Sequence, residues 1–178
     1  MTDDQLIARI RETALLTGDF TLRSGRKSRY YLDKYLFATQ PDVLGALGQK
    51  FKAVVAAQEP AVDRLAGPEL GGVPLVTAAA LATGLPMVLI RNAKKDYGTA
   101  KQFEGALNDG DRVLITEDIA TSGGQSIEAA RLLRDEMKVE VAKIVVVIDR
   151  QEGAREAIED AGFAFEALFT KSDLGIDE

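Results

Sequence analysis

Short apolar runs alternate with helical segments along most of the chain, and this alternation constrains the fold more than any other feature. Runs such as residues 113–116 and 142–148 are too short for buried helices and are almost wholly apolar, as strands covered on both faces are. Between them, residues 126–137 place apolar side chains at helical spacing. The pattern predicts an α/β fold with an open, doubly wound, mainly parallel sheet flanked by helices.

Apolar spacing and turn residues set the predicted bounds of each element. The helices are predicted at residues 3–16, 41–57, 73–83, 126–137 and 152–161. The strands are predicted at residues 62–66, 87–90, 113–116, 142–148 and 163–169. Two β-prone runs, 20–22 and 30–32, bracket a basic turn and predict a hairpin. We expect one domain over residues 1–178, in which residues 1–40 form a small N-terminal hood.

The amino-acid composition excludes several kinds of chemistry. The chain contains no cysteine and no histidine, which excludes disulfides, thiol nucleophiles, structural zinc clusters and histidine-based triads. Its net charge of -6 is the opposite of what a nucleic-acid-binding protein usually carries. The acidic N-terminus and the lack of a long apolar run predict a cytoplasmic protein with no membrane partner.

Polar residues follow four of the predicted strands, at the carboxyl ends where open parallel sheets bind ligands. The first strand runs into the glycine-rich turn 67–72, and the second runs into Arg91 and a basic loop. Glu117 and Asp118 follow the third strand, and residues 149–150 follow the fourth. We expect these side chains to converge on one ligand.

The most specific motif joins the strand at 113–116 to the helix that begins near residue 126. Glu117 and Asp118 come first, and their carboxylates are suited to accept hydrogen bonds from ribose hydroxyls. The small and hydroxyl-bearing residues that follow can wrap a phosphate with backbone N–H groups, helped by the helix N-terminus. Walker and G-x-G-x-x-G motifs are absent, so nucleotide hydrolysis and dinucleotide binding lose their usual support. An ordinary solvated turn is the alternative for the acidic pair.

This stretch resembles the 5-phosphoribosyl-1-diphosphate (PRPP) signature of type I phosphoribosyltransferases. Residues 20–28, 91–98 and 149–152 together resemble orotate phosphoribosyltransferases in order and spacing, and residues 30–37 and 70–74 are most similar to the short archaeal-type members. The resemblance spans nearly the whole chain. It implies the type I fold and transfer of the phosphoribosyl group from PRPP to N1 of orotate, giving orotidine 5'-monophosphate and pyrophosphate in pyrimidine synthesis.

The resemblance also implies a role for each matching residue. Glu117 and Asp118 would bind the ribose hydroxyls, and Arg91, Lys95 and Asp118 would be the catalytic residues. The other residues implied in PRPP binding are Arg23, Tyr97, Ile119, Ala120, Thr121, Ser122, Gly123, Gly124 and Gln125. The residues implied in orotate binding are Thr121, Arg150, Tyr31 and Leu32.

The implied reaction is a displacement at ribose C1' with oxocarbenium character, and it needs no protein nucleophile. Mg²⁺ would be carried mainly by PRPP and water, without dedicated protein ligands. The segment 92–111 would form a flexible catalytic loop that excludes water and reaches the neighbouring subunit, so a homodimer is expected.

The chain departs from many bacterial members at four positions. Those members carry lysine in place of Gly71 and Asn92, histidine in place of Tyr97, and proline in place of Arg29. The candidates to replace the missing positive charges are Lys94, Lys101 and Lys27.

Several assignments have simpler alternatives. Arg150 can form a structural salt bridge with Asp149 or Glu152, and the turn 67–72 can serve only to connect a strand to a helix. Arg23 and Lys27 can flank a hairpin turn, the lysines of the basic loop can keep its surface solvated, and Tyr31 and Leu32 can be core residues.

Two other functions are also compatible with the motif: transfer to a different nucleobase, and PRPP sensing without catalysis. Arg150 suits the carboxylate of orotate and argues against a neutral purine. The net charge of -6 and the basic loop with Lys95 argue against a nucleic-acid-binding regulator.

Overall fold

The N-terminal part of the chain folds as a helix, a hairpin and a second, short helix. A computed structural model describes residues 1–21, 25, 27–92 and 102–176 of the chain. Its first elements are α1 (Asp3–Ala14), β1 (Leu15–Thr21), β2 (Lys27–Leu32) and α2 (Lys34–Ala38). β1 and β2 pair antiparallel, which confirms the predicted hairpin.

The predicted first helix ends two residues early, and α2 was not predicted. Leu15 and Leu16 leave the helix because they pair with Leu32 and Tyr31 in the hairpin. α2 is only five residues long and is stabilised by its N-cap Asp33, whose side chain accepts a hydrogen bond from the backbone N–H of Tyr35. A helix this short carries too little apolar periodicity to be recognised in the sequence.

A six-stranded sheet forms the body of the protein. Its strands are β3 (Arg64–Pro68), β4 (Met87–Ile90), β5 (Phe103–Glu104), β6 (Arg112–Ala120), β7 (Glu140–Asp149) and β8 (Phe165–Thr170). They lie in the order β5-β4-β3-β6-β7-β8, and each pair is parallel except β4 with β5. The mainly parallel sheet is as predicted. The strand β5 corrects one prediction. It lies inside the segment 92–111, which was expected to form a loop without regular secondary structure.

Helices cover both faces of the sheet. They are α3 (Pro41–Ala56), α4 (Gly72–Thr83), α5 (Gly124–Arg131) and α6 (Ala154–Asp160). Leu114 of β6 packs in the core cluster that contains α1, α3 and α4, whereas its neighbours Val113 and Ile115 pack in the cluster of α5 and α6. Successive strand residues therefore enter opposite cores, which explains the uninterrupted apolar runs.

Most other bounds differ from the predicted ones by a few residues. The helix predicted at 126–137 begins at Gly124 and continues after Arg131 as a π-helical turn over Leu132–Glu136. The strands predicted at 62–66 and 163–169 lie at Arg64–Pro68 and Phe165–Thr170, and the last helix, predicted at 152–161, lies at Ala154–Asp160. None of the helices in the described part of the chain is long and apolar enough to cross a membrane.

β6 and β7 extend beyond their apolar runs, and this extension positions the site. Parallel pairing continues through Ile119 with Ile148 and Ala120 with Asp149. Backbone pairing therefore holds the polar residues at the ends of the runs inside the sheet.

Candidate active site

Glu117 and Asp118 lie within β6 and are almost completely buried. Their exposed fractions are 4% and 1%, so the alternative of a solvated turn is wrong. Asp118 Oδ1 accepts a hydrogen bond from the backbone N–H of Ile119 at 2.6 Å. Glu117 Oε1 accepts one from the backbone N–H of Asp118 at 3.1 Å, while Glu117 Oε2 has no hydrogen-bond partner among the described residues.

Lys34 balances the charge of the acidic pair. Its Nζ lies 2.9 Å from Asp118 Oδ2 and 3.2 Å from Oδ1. Partial burial disfavours the ammonium, but attraction to Asp118, a hydrogen bond to it and attraction to Glu117 together raise the pKa of Lys34. The sequence analysis missed this residue because nothing near Lys34 in the chain indicates a carboxylate partner.

The Glu117 carboxyl group is harder to ionise than that of an exposed glutamate. Burial, followed by the adjacent charge of Asp118, raises the pKa of Glu117 to about 8. Glu117 can then donate a hydrogen bond through its protonated carboxyl group, while Asp118 accepts. The pair can therefore bind hydroxyl groups both as a donor and as an acceptor.

The loop after β6, residues 121–123, leads into the start of α5 and is called the phosphate loop, after its predicted ligand. Gly123 is the N-cap of α5 and has a φ of 76°, in the left-handed region that favours glycine. A Cβ at Gly123 would also lie 2.9 Å from Ile158 Cγ1, so packing requires glycine as well. The first amide groups of α5 have no partner within the helix and point toward the loop, where a phosphate can accept their hydrogen bonds.

Glu69 joins three of the predicted ligand-binding segments. Its backbone carbonyl accepts a hydrogen bond from Gln125 Nε2 at 3.3 Å, and its Oε1 accepts one from the backbone N–H of Asn92 at 2.8 Å. Its own N–H donates to the carbonyl of Ile90 at 2.8 Å. The turn after β3, the end of β4 and the phosphate loop are therefore brought together, as the sequence predicted.

Gly71 leaves room for the Asp118 carboxylate. A Cβ built on Gly71 would lie 1.5 Å from Asp118 Oδ2, far inside any possible contact. The backbone of Gly71 is in the ordinary right-handed region, so close approach rather than φ requires glycine here. In this chain, a side chain at position 71 would require the carboxylate of Asp118 to move.

Arg91 lies next to the phosphate loop. Together with Gln125, Asn92 and Gln102 it lines a small cavity of about 60 Å³. Its Nη1 is 3.7 Å from Glu104 Oε1, and its Nε is buried with no hydrogen-bond partner among the described residues. Arg91 therefore lies beside the phosphate loop, with its Nη1 near Glu104 and its Nε buried.

Arg150 follows β7 and contacts the N-terminal hairpin. Its Nη2 lies 3.1 Å from Glu152 Oε1, so the salt bridge considered in the sequence analysis forms with Glu152. The same Nη2 donates to Tyr30 Oη at 3.3 Å. The alternation of half-buried and exposed residues along β2 places Tyr30 and Leu32 on one face and Tyr31 on the other.

This alternation separates the two predicted base-pocket residues. Tyr31 is 44% exposed and its ring packs against Phe20, with centroids 5.7 Å apart, whereas Leu32 packs against the core. Tyr30, which the sequence analysis did not select, makes the contact with Arg150. The predicted ligand residue Thr121 is exposed in the phosphate loop.

Some predicted site residues lie outside the described residues. These are Arg23, Lys94, Lys95, Tyr97 and Lys101. Lys27, a candidate to replace the missing charges, is described, and its Nζ donates to Thr21 Oγ1 at 2.6 Å within the hairpin. Among the described residues, Lys34 rather than Lys27 supplies a cation to the acidic pair.

Comparison with known proteins shows which family the sequence matches. Residues 42–172 match the model of the phosphoribosyl transferase domain. The orotate phosphoribosyltransferase of Pyrococcus furiosus is 41% identical over 165 residues, covering 93% of this chain and 90% of that protein. That of Natronomonas pharaonis is 42% identical over 178 residues and covers 99% of each chain.

Solved structures show the same fold. The structure of Mycobacterium tuberculosis orotate phosphoribosyltransferase in complex with PRPP has a TM-score of 0.82 at 28% identity and covers 97% of this chain and 98% of that chain. The one in complex with Fe(III) dicitrate has a TM-score of 0.86 at 29% identity, with coverage of 97% and 98%. These findings confirm the resemblance to short archaeal-type members, and the chain belongs to the orotate phosphoribosyltransferase family.

Proposed function

We propose that the protein transfers the 5-phosphoribosyl group of PRPP to N1 of orotate. The bond from C1' to N1 forms, the bond from C1' to the diphosphate oxygen breaks, and the products are orotidine 5'-monophosphate and pyrophosphate. The observation that carries the proposal is the buried Glu117–Asp118 pair directly before the glycine-capped start of α5. This arrangement offers hydroxyl-binding carboxyl groups and a phosphate site to one ribose 5-phosphate.

Positioning and charge stabilisation account for the catalysis. Asp118 and Glu117 hold the ribose hydroxyls, and the amide groups at the start of α5 hold the 5'-phosphate, so the orientation of C1' is fixed at both ends of the ribose. Arg91 lies beside the phosphate loop and would stabilise the charge that develops on the leaving pyrophosphate. By resemblance, Lys95 and Arg23 would assist, and Tyr97 would add a hydrogen bond.

Arg150 would select orotate through its carboxylate. Tyr30 Oη and Glu152 hold the guanidinium at the end of β7, and its remaining N–H groups can bind a carboxylate in a bidentate manner. A neutral purine offers no such partner. Thr121, Tyr31 and Leu32 remain the other proposed orotate contacts.

Mg²⁺ would enter with PRPP. Among residues 1–21, 25, 27–92 and 102–176, no three side chains of metal-binding type form a cluster. The oxygens of the diphosphate and water suit Mg²⁺. We therefore propose that the true substrate is the complex of Mg²⁺ with PRPP.

An apolar groove between α3 and α4 supports the proposed homodimer. The groove has a volume of about 550 Å³ and is lined by apolar residues that include Leu44, Pro74 and Leu81. Leu81 is 83% exposed and lies on this groove, and a contiguous exposed apolar patch is typical of a protein interaction site. Light scattering of wild-type protein and of Leu81→Asp tests this proposal: we expect a dimer and a monomer respectively, and a monomeric wild type would refute it.

The cytoplasmic location stays a prediction, which fractionation of the source cells would test. The catalytic proposal is tested by mixing the purified protein with PRPP and Mg²⁺ and following the loss of orotate absorbance, with adenine, hypoxanthine and uracil in parallel. We expect turnover with orotate and with none of the other bases. Turnover with another base and not with orotate would refute orotate as the substrate. Tight PRPP binding without any turnover would favour a PRPP sensor.

Arg150→Gln sharpens the test of substrate choice. It should raise the KM for orotate at least tenfold, because losing one charged hydrogen-bonding partner costs about 1.5–3 kcal/mol. Arg155→Gln is the matched control, since Arg155 is exposed on α6 and pairs with Glu159 at 3.2 Å. An unchanged KM for orotate in Arg150→Gln would remove Arg150 from the base site.

A further inference from the structure

Lys34 has no role in the proposed reaction, yet it makes a direct contact with a proposed ribose-binding residue. Its side chain is 34% exposed, whereas that of Asp118 is 1% exposed, so the lysine covers the carboxylate from the solvent side. The two residues are 84 positions apart in the chain. The contact therefore depends on how α2 packs against β6.

The local backbone fixes the position of Lys34. It is the first residue of α2, directly after the N-cap Asp33. The backbone N–H of Asp33 donates to the carbonyl of Ala14 at 2.9 Å, which ties α2 to the end of α1. Lys34 thus reaches the acidic pair from an anchored position rather than from a free loop.

The acidic pair needs a cation because it is buried. Two adjacent carboxyl groups in β6 cannot both stay ionised at low exposure without compensating charge. The titratable groups that face Lys34 are Asp118 and Glu117 of β6 and Tyr35 of its own helix. Gly71 approaches Asp118 from the turn before α4 and brings no charge.

We propose that Lys34 is a positioning residue for PRPP, whose ion pair with Asp118 orients the carboxylate so that it accepts hydrogen bonds from the ribose hydroxyls. Lys34 acts through Asp118 and need not touch the substrate. This inference rests on the proposed function, since it assumes that Asp118 binds PRPP.

The test compares PRPP affinity in Lys34→Met, Lys34→Arg and wild-type protein by calorimetry with Mg²⁺ present. We expect Lys34→Met to raise the Kd for PRPP at least tenfold at neutral pH, and Lys34→Arg to stay within about threefold of wild type. Lys143→Met is the matched control, because Lys143 pairs with Glu166 at 2.7 Å elsewhere in the sheet. Its Kd should equal that of wild type.

The conservative variant separates positioning from a structural effect. Lys34→Arg keeps a cation beside Asp118 and should retain PRPP affinity, whereas Lys34→Met removes it. A Kd of Lys34→Arg as high as that of Lys34→Met, or a Kd of Lys34→Met equal to that of wild type, would overturn the proposal.

A double variant keeps the proposal testable if Lys34→Met folds poorly. If Lys34 acts through Asp118, then Lys34→Met should change PRPP affinity little in an Asp118→Asn background. Equal losses in both backgrounds would overturn the inference. Wild-type protein that does not bind PRPP would instead refute the proposed function, so the two failures are distinguishable.

Discussion

Replacing Glu117 with glutamine should remove a pH dependence from the stability of the protein. The pKa of Glu117 is raised from 4.5 to about 8 by burial and by Asp118, so the folded protein holds a proton that the unfolded chain releases. Between these two values unfolding releases a proton, and the unfolding free energy of the wild type falls by about 1.4 kcal/mol for each pH unit. Glutamine has a similar shape and cannot ionise.

The expected magnitude follows from the two pKa values. From pH 5 to pH 7, the unfolding free energy of Glu117→Gln should rise by roughly 2 to 3 kcal/mol relative to that of wild type. The gain should be complete once the pH exceeds the folded-state pKa of about 8. Below the unfolded-state pKa the proton is bound in both states, and the gap should not change with pH.

Urea unfolding followed by circular dichroism, repeated at several pH values, measures this gap. Glu156→Gln is the control, because Glu156 is exposed on α6 and its replacement should leave the pH dependence unchanged. A gap between Glu117→Gln and wild type that is constant from pH 5 to pH 8 would refute the reasoning. Glu117 would then be ionised in the folded protein.

Three further predictions concern the site. Asp118→Asn should weaken PRPP binding at least tenfold, because it removes the charged acceptor of the ribose hydroxyls; unaltered affinity by calorimetry would contradict that contact. Gly71→Ala would bring a Cβ to within 1.5 Å of the position of Asp118 Oδ2. Both PRPP affinity and the thermal unfolding midpoint should therefore fall. Wild-type values for both would show that the carboxylate can move freely. Lys95→Ala should lower kcat by orders of magnitude and leave the Kd for orotidine 5'-monophosphate nearly unchanged; a wild-type kcat would remove Lys95 from catalysis.

Local patterns in the sequence were sufficient for the fold class and for the centre of the site. One stretch of chain, residues 113–131, contains in order a strand, the acidic pair, small residues and a helix. The whole phosphate loop therefore lies within this stretch. The helix and strand periods are likewise local properties of the chain. The predictions for these regions are confirmed to within a few residues at each end.

The burial of Glu117 and Asp118 could not be predicted from the sequence. A strand followed by two acids is usually read as a strand followed by a turn, and the prediction ended the strand at residue 116. The pairing of β6 with β7 continues to Ala120 and Asp149, which buries Glu117 and Asp118. The raised pKa of Glu117 follows from that burial and cannot be read from its neighbours in the chain.

The sequence by itself indicated the candidate residues for a ribose phosphate, because they lie together in one short segment, residues 117–125. Only the tertiary structure decided what surrounds it: Lys34 against Asp118, the backbone of Gly71 against the same carboxylate, and Tyr30 against Arg150. Lys34 and Tyr30 lie 84 and 120 positions from their partners. Such contacts depend on the crossover connections and on the packing of the hairpin and α2 against the sheet. The spacing of residues along the chain does not predict them.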